Sequence, residues 1–135
     1  MEKWTQEDLE RAGYKVENAK ISHVDLSMAD HGCLCLELGL DGNSWGCVFG
    51  GHVIGKGYLG AKEFEGSSMG IEYIMEIMNV VGVEKFNNMR GKYIRVATQG
   101  WGSTVRIIGN VIEDKWFDVD SFFADKKKES KNENT

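Results

Sequence analysis

Apolar residues recur at helical spacing over one long stretch of this chain, SSMGIEYIMEIMNVVG from Ser67 to Gly82. Ile71, Ile74, Met75 and Met78 step by three and four with Val81 continuing the stripe, while Glu72 and Glu76 mark a wet side. Ser67 or Ser68 can cap the first turn, and Gly82 stands where a helix ends. Tyr73, Ile77 and Val80 spread apolar surface over a further face. A second subunit would cover that excess, so a homodimer through this helix is expected.

Elsewhere the period is two. Lys15 to Met28 reads as a strand whose alternation slips once, the mark of a bulge. Asp30, His31 and Gly32 make a hairpin turn, and the return strand places Leu34, Leu36, Leu38 and Leu40 on one dry face. Ser44 to Phe49 gives a third strand, and the glycine-rich segment from Gly50 to Gly60 predicts an irregular loop continuing to residue 66. Lys92 to Ala97 and Thr104 to Ile112 pair around a turn at Gln99–Gly102. Glu113 to Phe117 then leaves the sheet. Thr5 with Asp8 predicts a capped helix over Gln6–Ala12, Val83–Met89 a short helical turn, and Asp118 the cap of a last one. The expectation is one α+β domain over 1–124: an antiparallel sheet with one central helix across a face and short terminal helices. The tail over 125–135 has no apolar residue and is expected to be disordered.

Composition narrows the function classes. The chain has 135 residues, 41% hydrophobic and 27% charged, with a formal net charge of -5. An acidic body argues against generic duplex nucleic-acid binding. No apolar run approaches the roughly 18 residues that cross a bilayer, and the acidic start carries no signal sequence, so a cytoplasmic protein is expected. Three cysteines, Cys33, Cys35 and Cys47, do not make a disulfide framework, and no zinc spacing accompanies them. No metal or cofactor is expected. With no proline and 17 glycines, every tight turn falls to Gly, Asn or Asp.

The densest candidate site is Ser44–His52. Trp45, Phe49, Gly50 and Gly51 combine a ring with backbone that a flat ligand can approach, and Trp101 between two glycines repeats the chemistry. Arg95 and Arg106, on paired strands, would supply phosphate contacts, although a one-residue change of register decides whether they share a face. The alternative is that both tryptophans plug sheet ends. Neither a phosphate-binding loop nor a dinucleotide fingerprint is present. Asp30 and His31 suggest a general base, but no nucleophile stands in a matching context. Glu113, Asp114 and Glu37 read as solvated acids rather than a magnesium site.

The order of several short motifs resembles a family of small bacteriophage and prophage accessory proteins. It runs from Asp30-His31-Gly32 through Trp45-Gly46, Phe49-Gly50-Gly51, Met69-Gly70-Ile71-Glu72 and Val81-Gly82-Val83-Glu84. Gly91 to Val96, Gly100-Trp101-Gly102, Ile108-Gly109 and Asp114 to Phe117 complete it, over residues 15 to 123. The resemblance carries no site residues. It implies a phage product in the host cytoplasm that antagonises bacterial defence, as an anti-CRISPR-like inhibitor of a defence protein or by sequestering a nucleotide signal. A small enzyme using Asp30 and His31 on a nucleotide is the rival expectation.

Overall fold

A computed structural model describes residues 3–57, 60–100 and 104–133. The described fold is mixed α+β, built on a seven-stranded antiparallel sheet. The strands are β1 (Lys15–Asp30), β2 (Cys33–Gly42), β3 (Trp45–Lys56), β4 (Glu65–Gly66), β5 (Tyr93–Thr98), β6 (Ile107–Gly109) and β7 (Trp116–Asp118). Their order across the sheet is β4-β3-β2-β1-β5-β6-β7. The helices are α1 (Gln6–Arg11), α2 (Ser68–Val81) and α3 (Val119–Glu133), with a 3-10 turn at Phe86–Asn88.

From one face, helix α2 touches β3 near one edge of the sheet and β6 and β7 at the other edge, so the sheet curls. Ser67 Oγ accepts from the Gly70 amide at 2.9 Å, and Gly82 closes α2 with φ 89°. The buried face is Gly70, Tyr73, Ile77, Val80 and Val81. The stripe expected inside lies round the flank, with Ile71 60% and Met75 62% exposed. Both sets repeat at helical spacing, and Tyr73 decides between them. Its ring packs against Phe117 and Phe123, and its hydroxyl donates to the Leu36 carbonyl at 3.1 Å.

Two cores occupy the two faces. Toward α2 lie Ala19, Ile21, Leu36, Leu38, Leu40, Phe49, Ile94, Val96 and Phe117. On the opposite face, Leu9 of α1 packs with Ala97, Ile107 and Trp116, joined by Trp4, Tyr14 and Val16. Alternation along β5 makes this division, since Ile94 and Val96 belong to one core and Ala97 to the other. The expected Thr5–Asp8 capping box fastens α1, and the indole of Trp4 donates to Asp118 Oδ2 at 3.1 Å.

Several elements depart from the sequence reading. The expected loop after Phe49 is strand: β3 continues to Lys56, and Gly50 and Gly51 form a bulge where Leu36 faces His52 and Glu37 faces Gly50. Gly50 has φ 97°, and a Cβ there would stand 2.3 Å from Tyr73 Oη. Gly50 therefore serves the tyrosine's close approach and Gly51, with φ 85°, the turn of the bulge; neither breaks the strand. Trp116 does not leave the sheet but pairs with Gly109 in β7. The expected strand to Ile112 shortens to β6, because Asn110 turns its side chain to the Val80 carbonyl and to the amides of Ile112 and Glu113. The lysine-rich tail, expected to be disordered, continues α3 to Glu133, and Lys126 bridges to Glu72 of α2 at 3.1 Å.

Candidate functional site

Glycine and tryptophan face each other across two ladders. Gly42 of β2 pairs with Trp45 of β3, and Gly109 of β6 pairs with Trp116 of β7. In both pairs the indole lies on the glycine. A Cβ on Gly42 would meet the Trp45 ring at 2.0 Å, and one on Gly109 the Trp116 ring at 2.3 Å. Only a residue without a side chain leaves that surface flat.

At Trp116 the chain supplies everything else. Arg95, which pairs with Gly109 from β5, holds its guanidinium 4.7 Å from the centre of the Trp116 ring. The same guanidinium donates to the carbonyls of Asn110 at 2.7 Å and Glu113 at 2.8 Å, and to the side chain of Gln6 in α1. The Trp116 indole donates to Asp114 Oδ1 at 2.7 Å. This cluster bolts α1 to the sheet and is filled.

At Trp45 the surroundings are open. A cleft of about 640 Å³ is lined by Trp45, Gly46 and Cys47 from β3, by Lys15 and Glu17 from β1, and by Thr98 at the end of β5 and Gly100 beyond it. Lys15 Nζ lies 3.2 Å from Glu17 Oε1. The Trp45 indole nitrogen is buried and has no hydrogen-bond partner among the described residues, at a cost of about 1–3 kcal/mol in general. Burial raises the Cys47 thiol above its usual range, which keeps it protonated. These groups can stack a flat ring, accept hydrogen bonds and place one cation at the rim. A second, smaller depression of about 340 Å³ lies at α1 beside Trp4, Asp8 and Arg11, where Arg11 already pairs with Glu7 and Asp8.

The residues singled out from sequence thus separate. Trp45 and Gly100 line the cleft, while Trp101 lies outside the described residues. Phe49 is wholly buried against Phe117, and Gly50 and Gly51 form the bulge beneath Tyr73. Arg95 is committed to Trp116. Pairing of Arg95 with Gly109 and Ala97 with Ile107 puts Arg106 on the other side of the ribbon, where it bridges Asp120 at 3.2 Å. The two arginines therefore make no common anion site. Lys15 and Glu17 are the charged cleft residues that sequence reasoning missed; their signal was two opposite charges two residues apart, on the face of β1 that continues with Ala19 and Ile21. His31 is exposed, with φ 53°, in the turn at the far end of β1, and the Asp30 side chain lies outside the described residues.

A second polar atom without a partner among the described residues is Nδ1 of His52, buried where the imidazole stacks on Phe123 at 4.6 Å and 21°. Burial lowers its proton affinity, Asp120 opposes this, and Arg106 and Lys127 add to it. Among the described residues no three His, Cys, Asp or Glu side chains are grouped to hold a metal, and no helix is long and apolar enough to cross a membrane. No family model matches the chain, and no curated protein or solved structure matches it.

Proposed function

We propose that this chain is a non-enzymatic binding protein that sequesters a small planar ligand, of the nucleotide-signal class, in the Trp45 cleft. The observation that supports it most is the indole of Trp45, laid flat on Gly42 at the wall of an open cleft that also holds a carboxylate and an ammonium. Every other part of the sheet that holds a tryptophan on a glycine is, among the described residues, filled by the chain itself. The phage counter-defence role and the host cytoplasm rest on the motif resemblance. The cleft gives that role a mechanism: a protein that removes a signal needs a stacking surface and selective contacts, and no reactive group.

Exposed apolar side chains favour a second reading, in which a protein surface is the target. Ile71 and Met75 stand out from α2, the central helix of that reading, and Phe64 is 62% exposed. A second copy of the chain or a host defence protein would cover them.

Native mass spectrometry of the protein purified from the bacterial host separates the two. The cleft reading expects a retained mass of nucleotide size that Trp45→Ala loses and His31→Ala keeps. A bare chain that captures a defence protein, or a bare dimer, would overturn it in favour of the second reading. Turnover of a nucleotide abolished by His31→Ala would favour the enzyme.

A further inference from the structure

We infer that the base held in the cleft is guanine; this rests on the cleft reading above and specifies its ligand. The chain contains its own template for what covers an indole laid on glycine. At Trp116 that cover is a guanidinium, a planar fork of N–H donors, whose hydrogens go to oxygen acceptors. At Trp45 the indole and an oxygen acceptor are present, the latter being the Glu17 carboxylate, and among the described residues lining the cleft none carries a guanidinium.

Among the common bases guanine carries that fork. Its ring N–H and exocyclic amine point the same way from one guanidine-like unit and match a carboxylate with two parallel hydrogen bonds. Adenine, cytosine and uracil each set an acceptor beside their donor, so one carboxylate oxygen would face a lone pair. The Glu17 carboxylate has capacity for this. Its Oε1 holds the Lys15 ammonium at 3.2 Å, and a carboxylate offers about four acceptor positions. Lys15, with its side chain 72% exposed, stands at the mouth, where it can meet a phosphate of any nucleotide. Base choice and phosphate attraction therefore fall to two residues on one strand.

The test is calorimetric titration of the full chain with GMP, AMP, CMP and UMP at one salt concentration, repeated on Glu17→Gln and Lys15→Ala. The expected result is tightest binding of GMP, by about tenfold or more over the others. Glu17→Gln should erase that preference, and Lys15→Ala should weaken all binding by a similar factor. Thermal midpoints unchanged from the parent chain would certify that both variants fold. Equal binding of all four, or a guanine preference that survives Glu17→Gln, overturns the inference and leaves the cleft reading standing. Absence of binding by all four to the parent chain overturns both.

Discussion

Trp116 lies on Gly109 on the α1 face of the sheet, and Trp45 lies on Gly42 on the α2 face, each across a single ladder pair. One ring is covered by Arg95 and has its nitrogen bonded to Asp114; the other borders a cleft, and its nitrogen bonds to none of the described residues. A fold that optimises stability alone closes such a site, as this one does at Trp116. Leaving the second open costs free energy that a bound partner can return.

The glycines give the widest separation between the two regions. Gly109→Ala should destabilise by about 3 kcal/mol, because Trp116 is held between the new methyl and the Arg95 guanidinium and cannot move. Gly42→Ala should cost only about 1 kcal/mol, since the Trp45 ring has the cleft to swing into, but should abolish ligand binding. Urea unfolding of both variants, followed by titration of the second, checks the pair. Equal costs would mean that the two sites are equally packed.

The cations come next. Arg95→Ala removes the cover of Trp116 and three hydrogen bonds, one of them to α1, and should cost about 2 kcal/mol. Lys15→Ala removes an exposed ion pair and should change stability by less than about 0.5 kcal/mol. A large loss on Lys15→Ala would make the rim structural.

The smallest expected effect concerns His52, whose Nδ1 is buried on the α2 face without a partner among the described residues. Its proton affinity is lower in the folded chain than in the unfolded one. The unfolded state therefore takes the proton first, so this group's contribution is complete above about pH 6.5 and erodes as pH falls below that value. His52→Phe should flatten the dependence of the urea midpoint on pH between 7 and 5. An unchanged slope would assign the acid sensitivity to other groups.

The sequence announced what is local. The capping box of α1, the ends of α2, the hairpin turn at His31 and Gly32, and the dry leucine face of β2 all follow from residues near one another in the chain. What it concealed depended on partners far away. Gly50 and Gly51 looked like a loop until Tyr73, on another element, required the missing side chain of Gly50. Ile71 and Met75 had helical period as good as that of Tyr73 and Ile77, and only the packing of Phe117 and Phe123 onto Tyr73 chose the inner face. The candidate site was half legible. Trp45 and Gly100 line one cleft, but which charges join them depended on register: it sent Arg95 to the opposite face and brought Lys15 and Glu17 in.

The central claim is that Trp45 alone of these two tryptophans is finished by a ligand. The most direct test follows the indole N–H resonances of the four tryptophans by nitrogen-15 NMR while GMP is added. The account predicts a progressive shift of the signal that Trp45→Phe removes, with the Trp116 signal fixed. A Trp45 signal that stays in place at saturating nucleotide, or one that moves no more than that of Trp116, would contradict it.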